Sequence, residues 1–207
     1  DGCQLLYSSF RRIEGIEMMS ILLKYQGFQE LVISKTPTGG YDVNVSGIYP
    51  VDTYDKRKRV FALYTGTEEK EVKEIIRNIY NSDFSKLPNS LNAKLKEIYN
   101  VAPEDDLTNL HGEIVSVLMI TASGAEGIDL QNTRCVHITE PYWHNVRMEQ
   151  VIGRARRICS HNRLPPVERN VQVYIYISEL NDGKSESSDQ FLYRIMNDKK
   201  ILSESFL

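Results

Sequence analysis

The chain lacks the features that mark secreted, membrane-spanning or metal-binding proteins. Its 207 residues include only three cysteines, Cys3, Cys135 and Cys159, with no Cys-x-x-Cys spacing. An odd number of scattered cysteines argues against a disulfide framework and favours a reducing compartment. No run of eighteen apolar residues could cross a bilayer, and no signal-peptide pattern is present. These absences predict a cytoplasmic domain with no membrane partner and no metal ligands of its own.

A strong net charge is also absent. The chain has 25 Lys and Arg against 28 Asp and Glu, a formal charge of −3. This excludes binding of nucleic acid through global positive charge alone. Positive charge is local instead, at residues 56–59 and 154–163. Any nucleic acid is therefore expected to bind in a groove, through a few contacts to its backbone.

The hydrophobic pattern alternates between short apolar runs and longer helical periods. This order predicts an α/β fold with a mostly parallel sheet. The length and the 41% hydrophobic content suit one compact unit. Strands are predicted at 4–8, 30–34, 59–64, 115–121, 135–139 and 171–178, and helices at 12–26, 67–81, 90–99, 144–160 and 187–199.

Residues 35–58 interrupt this alternation. Gly39 and Gly40 stand between two polar-apolar alternations, a pattern that predicts a β-hairpin. One interpretation is a nucleic-acid contact that uses Tyr41, Tyr49 and Tyr54 for stacking and the basic run for phosphates. The interpretation we favour is a surface excursion whose tyrosines pack on the core.

Residues 144–160 carry the pattern of a helix with one apolar and one cationic face. Gln150, Arg154 and Arg157 fall within about 60° of one another, opposite the apolar stripe. Guanidinium groups suit phosphate because they stay charged and bind oxygens in pairs. Gly153 costs stability inside a helix, so it predicts a close approach to the backbone. The apolar stripe comprises Met148, Val151, Ile152, Ala155, Ile158 and Cys159.

A second informative segment runs from Val115 to Leu130. Its apolar start predicts a buried parallel strand, and its small residues predict a loop at the carboxyl end of that strand. Such loops let backbone amides reach phosphate oxygens, and a carboxylate such as Asp129 can bind ribose hydroxyls. The polar and small residues of the loop are Thr121, Ser123, Gly124, Gly127 and Asp129.

Together these segments resemble motifs V and VI of the second RecA-like domain of superfamily two helicases. The matching stretches are Thr-Ala-Ser-Gly-Ala-Glu-Gly-Ile-Asp-Leu at 121–130 and Glu-Gln-Val-Ile-Gly-Arg-Ala-Arg-Arg at 149–157. Residues 5–10 are similar to motif IV, and residues 61–66 to the strand called IVa. The sequence Thr-Glu-Pro-Tyr-Trp at 139–143 most resembles the corresponding segment of the helicase-like transcription factors and nucleoside triphosphatases of large cytoplasmic DNA viruses.

The resemblance implies a RecA-like three-layer sandwich and a set of site residues. Arg154 and Arg157 would be arginine fingers at the γ-phosphate of ATP, oriented by Gln150. Gly127, Asp129 and Gly153 would lie at the ATP edge. The nucleic-acid backbone would be contacted by Ser8, Ser9, Thr121, Ser123 and Gly124.

The resemblance also implies a partner lobe. No Gly-x-x-x-x-Gly-Lys-Ser/Thr loop is present, so ATP and Mg²⁺ are expected to be held mainly by an N-terminal RecA-like lobe of the same protein. The chain starts on a strand without an initiator methionine, and we expect it to be a fragment without ATP turnover of its own. We expect residues 1–180 to form the lobe and 181–207 a helical extension. The viral transcription machinery is a further expected partner.

Two other classes of function remain open at this level. The domain could be a scaffold or binding module that keeps the helicase fold inside a transcription complex. It could also be an arginine-rich domain that binds phosphoproteins, although that leaves Gly127 and Asp129 unexplained. A Walker loop and an Asp-Glu pair upstream would favour the motor.

Overall fold

The computed structural model describes residues 2–12, 14–37, 39–46, 59–125, 127–181 and 185–205. These residues form seven strands and six helices, which include counterparts of all six predicted strands and all five predicted helices. The strands are β1 Cys3–Ser8, β2 Gln29–Lys35, β3 Tyr41–Ser46, β4 Val60–Tyr64, β5 Val117–Thr121, β6 Thr133–Ile138 and β7 Gln172–Ile175. The helices are α1 Ile16–Tyr25, α2 Lys70–Tyr80, α3 Asn89–Tyr99, α4 Ala122–Ala125, α5 Asn145–Ala155 and α6 Ser188–Glu204.

All seven strands form one sheet in the order β3-β2-β4-β5-β1-β6-β7. Every neighbouring pair is parallel except β2 and β3, which are antiparallel. The mostly parallel α/β sheet is therefore confirmed. Because β1 and β5 are central and covered on both faces, apolar residues follow one another in them without alternation, as in Leu5-Leu6 of β1 and Val117–Ile120 of β5.

Helices cover both faces of the sheet, which makes the three layers of the sandwich. On one face, strand residues such as Leu5 and Leu118 join residues of α2, α3, α5 and α6 in the main core. On the other face, Leu6 and Met119 pack with Ile16 of α1 in a smaller core. Successive side chains of a strand point to opposite faces, so each central strand contributes to both cores.

The hairpin predicted around Gly39 and Gly40 is present, but its first arm is not part of an insert. That arm is β2 itself, which pairs with β4 on one side and with β3 on the other. Tyr41 packs against the main core, and its hydroxyl donates to a carboxylate oxygen of Glu71 at 2.7 Å. This tyrosine therefore ties the hairpin to α2. Tyr49, Tyr54 and residues 56–58 lie outside the described residues.

Helix α5 is shorter than predicted, because it ends at Ala155 rather than at residue 160. The hydroxyl of Ser160 donates to the carbonyl of Ala155 at 3.2 Å, which satisfies a carbonyl left open at the helix end. Cys159 has a φ of 65°, so the chain turns there and cannot continue the helix. The predicted apolar stripe is correct up to Ala155 and wrong beyond it: Ile158 is 96% exposed.

Helix α6 lies against α5 at the end of the described chain. Met196 is buried in the main core and Tyr193 packs on it. The residues at the far end of the helix, such as Ile201 and Leu202, are exposed. Within the described residues, none of the helices is long and apolar enough to span a membrane.

The three cysteines differ sharply in their surroundings, and this gives a first prediction. Burial, with a smaller effect from the charge of Glu113, raises the pKa of Cys3 to about 12, whereas Cys159 is exposed. Because the thiolate is the reactive form, we expect iodoacetamide at pH 8 to modify Cys159 quickly and Cys3 only after unfolding. Mass spectrometry of samples taken with and without guanidinium measures both rates.

The matched control for this labelling is Cys159→Ser, which removes the fast reaction and leaves Cys3 unchanged. Modification of Cys3 in native buffer as fast as that of Cys159 would contradict the buried position of β1. Cys3 also lies next to Asn109, whose side-chain amide donates to the carbonyls of Tyr80 and Val115. An early reaction at Cys3 would therefore report opening of this whole corner of the core.

Candidate nucleotide and nucleic-acid site

The predicted nucleic-acid residues gather where β1 and β5 end. These strands are neighbours, and Ser8 at the end of β1 is the register partner of Thr121 at the end of β5. The carboxyl ends of parallel strands form the edge at which open α/β sheets bind ligands. The fold thus brings together two groups of predicted residues that are more than a hundred positions apart in the sequence.

Ser8 and Ser9 differ in what they can contact. Ser8 is 0% exposed; its hydroxyl donates to Glu140 at 3.0 Å and accepts the backbone N–H of Phe10 at 3.1 Å. Ser9 is half-buried, and its backbone N–H also donates to Glu140. Ser9 can therefore contact a ligand directly. The buried Ser8 would instead stabilise the turn after β1.

The loop after β5 is packed tightly against the end of β4. The hydroxyls of Thr121 and Ser123 lie 3.0 Å apart, with Thr121 buried and Ser123 exposed. A Cβ atom added to Gly124 would meet the carbonyl oxygen of Tyr64 at 2.1 Å. A glycine is required here by this close approach and not by an unusual φ. The short helix α4, which the sequence pattern did not predict, is the form that the loop takes.

Thr65 and Gly66 extend this site from the neighbouring strand. Thr65 is 1% exposed, and its hydroxyl donates to Glu68 at 2.9 Å. A Cβ atom added to Gly66 would lie 2.7 Å from the hydroxyl oxygen of Ser123. Residues 61–66 resemble strand IVa, but no contact was predicted for them, although the Thr-Gly pair directly after β4 was the available signal.

Arg157 and Asp129 form an ion pair at the surface of the lobe. Arg157 lies past the end of α5, and Asp129 follows the loop after β5, so the two predicted motifs meet through this pair. Their side chains are 42% and 59% exposed, respectively. Gly127, two residues before Asp129, has a φ of 72°, a conformation that glycine adopts without strain.

Gln150 and Arg154 lie one turn apart on α5, on the side away from its buried residues Met148 and Val151. Gln150 is exposed and Arg154 is half-buried. Gly153 stands beside them, and a Cβ atom added to it would meet nothing within 4 Å. No group of the described chain therefore approaches this glycine closely, and its predicted approach by the nucleotide stays a prediction.

An aromatic cluster stands between β6 and α5. The ring of Trp143 lies edge to face against His144, 4.4 Å between centroids, and the ammonium of Lys199 on α6 lies 4.0 Å over it. A hydrogen bond from Trp143 and the guanidinium of Arg147 lower the pKa of Tyr142 below its ordinary value. Trp143 remains 46% exposed, so it joins α5 to α6 without entering the core.

Metal ligands are not assembled in the part of the chain that the structure describes. No three His, Cys, Asp or Glu side chains gather there as a metal site. His161 next to Cys159 has structural partners, since its ring nitrogens lie 2.8 Å from the Ser160 hydroxyl and 2.7 Å from the Thr133 carbonyl oxygen.

The sheet order, the two helical layers and the loops at the carboxyl edge define a RecA-like α/β lobe. Residues 18–159 match the family described as helicase conserved C-terminal domain. Since this match covers more than half of the chain, the protein belongs to that family. A solved structure, the C-terminal part of the Fun30 ATPase domain, has the same fold, with a TM-score of 0.51 at 11% identity over 94% of this chain and 39% of that chain.

Curated relatives come from large DNA viruses. The chain is 31% identical over 195 residues to the Termination factor NPH-I homolog of African swine fever virus (isolate Pig/Kenya/KEN-50/1950), covering 87% of this chain and 24% of that protein. It is 31% identical over 135 residues to Nucleoside triphosphatase I of Melanoplus sanguinipes entomopoxvirus, covering 65% of this chain and 21% of that protein. The chain thus spans about a quarter or less of the length of these two relatives.

Proposed function

We propose that this chain is the second motor lobe of an ATP-dependent helicase or translocase that acts on nucleic acid. The observation that carries the proposal is the contact between Arg157 and Asp129, which joins the two segments expected to meet at ATP. The relatives named nucleoside triphosphatase and termination factor support an ATP-driven role in viral transcription. A cytoplasmic location belongs to the same proposal.

In this proposal the lobe contributes positively charged arginines, whereas the main binding site for the nucleotide lies elsewhere. ATP and Mg²⁺ would be held by an N-terminal RecA-like lobe, and Arg154 and Arg157 would face the γ-phosphate. An arginine finger stabilises the charge that spreads over the transferring phosphoryl group, an effect of about 10³ to 10⁵ in rate. Gln150 would orient the arginines, and Gly127 and Gly153 would border the nucleotide.

The surface position of the ion pair fits such a role. An exposed pair contributes about 0 to 1 kcal/mol to stability, so Arg157 can leave Asp129 at small cost. Phosphate oxygens would then replace the carboxylate as partners of the guanidinium, and the freed Asp129 could accept from ribose hydroxyls. Closure of the cleft would couple this exchange to movement along the nucleic acid.

Nucleic acid would lie along the carboxyl ends of β1 and β5. Ser9, Ser123 and the backbone near Gly124 would contact its phosphates and sugars, which position a strand without reading its sequence. Ser8 and Thr121 are buried and would support these contacts from below. The net charge of −3 requires that such contacts be local.

The decisive experiment is an ATPase assay of the full-length protein with and without single-stranded DNA, duplex DNA and RNA. We expect at least one polymer to raise the turnover rate, and the isolated lobe to show no turnover. The polymer that stimulates most identifies the track. If no polymer changes the rate, the scaffold interpretation replaces the motor.

A further inference from the structure

The loop between β1 and α1 carries two adjacent arginines, Arg11 and Arg12, which are not among the predicted site residues. Both side chains are exposed. Their guanidinium groups make no ion pair with any residue that the structure describes, unlike Arg134, Arg157 and Arg163.

Although exposed, the described residues of this loop are tied to the start of α1. The backbone carbonyls of Arg11 and Arg12 accept N–H groups of Glu17 and Gly15 at 3.0 and 2.7 Å, respectively. At Gly15 an added Cβ atom would lie 1.9 Å from the carbonyl oxygen of Phe10, so the start of α1 is pressed against the loop. The arginines therefore stand on an anchored backbone.

Glu140 anchors the other end of the same loop. This half-buried carboxylate lies just after β6 and accepts the hydroxyl of Ser8, the backbone N–H of Ser9 and the hydroxyl of Thr139. Ser8 in turn accepts the backbone N–H of Phe10. A single side chain thus determines the direction in which the chain leaves β1, immediately before Arg11.

The position of the loop indicates the ligand. It follows the carboxyl end of β1, the edge that also carries Ser9 and Thr121, whose parent strands are hydrogen-bonded neighbours. Guanidinium groups at this edge suit an extended polyanion, because each can bind two phosphate oxygens. An isolated γ-phosphate is a less suitable ligand, because the arginines assigned to it lie on another segment, after β6.

We propose that Arg11 and Arg12 form a second phosphate-binding site for the nucleic-acid backbone, and that Glu140 is the positioning residue that holds their loop. The inference rests on the proposed function, because it assigns a further contact to the same nucleic acid. The need at residue 140 is for an acceptor oxygen shared by Ser8 and Ser9 and for a hydrogen bond to Thr139, and not for a negative charge. A glutamine there keeps one acceptor for Ser8 and Ser9, and the Thr139 hydroxyl can accept from its amide.

The test is binding of a fluorescent oligonucleotide to the full-length protein at several salt concentrations. Arg11→Ala/Arg12→Ala removes two phosphate contacts, so the slope of log K against log salt should become shallower by about 1.5. The matched control Arg77→Ala/Lys86→Ala removes two positive charges at and beyond the end of α2 and should leave the slope unchanged. An unchanged slope in Arg11→Ala/Arg12→Ala would overturn the site.

Glu140 is tested by a pair of variants. Glu140→Ala should raise the nucleic-acid concentration for half-maximal ATPase stimulation about tenfold, because three donors lose their acceptor, with kcat at saturation nearly unchanged. Glu140→Gln should restore binding to within about threefold of the wild type. Equal defects in both variants, or a loss confined to kcat, would show that Glu140 does not position this loop.

The two levels of the proposal fail in different ways. If the wild-type protein neither binds nor is stimulated by any polymer, the proposed function is wrong and the arginine site with it. If the wild type binds, but Arg11→Ala/Arg12→Ala binds with the same salt slope, only the further site is wrong. Arg11 and Arg12 are exposed, so their replacement should preserve the fold even where Glu140→Ala does not.

Discussion

Replacement of Arg157 by alanine is expected to reduce the nucleic-acid-stimulated ATPase rate of the full-length protein by about 10³-fold or more. The reason is that the guanidinium would stabilise charge that develops only in the transition state, so its loss raises the barrier directly. Steady-state kinetics at saturating polymer measure the effect. The fall should lie in kcat much more than in the KM for ATP.

The fold should survive this replacement. The only ion pair that the described residues show for Arg157 is the exposed one with Asp129, so its loss should change the free energy of unfolding by about 1 kcal/mol or less. Arg156→Ala is the matched control, because Arg156 is the exposed neighbour at the end of α5 and has no assigned role. Stimulated turnover at the wild-type rate in Arg157→Ala would remove the finger assignment.

The mostly parallel sheet could be predicted from sequence patterns, because strands buried on both faces contain runs of apolar residues. The run Val117–Ile120 is apolar throughout, a pattern typical of a strand covered on both faces. The edge strand β7 was predicted too long, at 171–178. Its pairing with β6 ends at Ile175, and one further bond joins the N–H of Tyr176 to the carbonyl of Ile138.

Local geometry at the site was harder to predict, because it depends on side chains that meet across the fold. The apolar periodicity predicts that α5 continues to residue 160. It contains no information about the hydrogen bond that the Ser160 hydroxyl donates to the carbonyl of Ala155 at the helix end. The contact of Arg157 with Asp129 therefore comes from a turn and not from a helical face. Glu140 went unassigned for the same reason, since its partners lie on β1, far away in the sequence.

The two glycines of the site show that the role of a motif residue depends on the atoms packed around it. The sequence predicts that both Gly124 and Gly153 lie near a ligand. The structure separates them, because Gly124 is pressed against the backbone of Tyr64 and Gly153 faces open space within the described chain. Opposite effects on stability follow when each is replaced by alanine.

Gly124→Ala should lower the free energy of unfolding by about 2 to 3 kcal/mol. The new Cβ atom would lie 2.1 Å from the Tyr64 carbonyl oxygen, a backbone atom that cannot rotate away, so the loop after β5 must move off β4. For a domain of this size the midpoint of thermal unfolding should fall by about 4 to 12 °C. Urea unfolding followed by circular dichroism measures the loss.

Gly153→Ala is the matched replacement, and it should stabilise the lobe by up to about 1 kcal/mol, because alanine is the better residue at an exposed helical position. If this more stable variant nevertheless loses ATPase activity in the full-length protein, the space beside Gly153 is needed by a group that approaches from outside the lobe. A loss of stability in Gly153→Ala equal to that in Gly124→Ala would contradict the packing described for both. The pair thus separates a glycine required by the fold from one required by the partner lobe or its nucleotide.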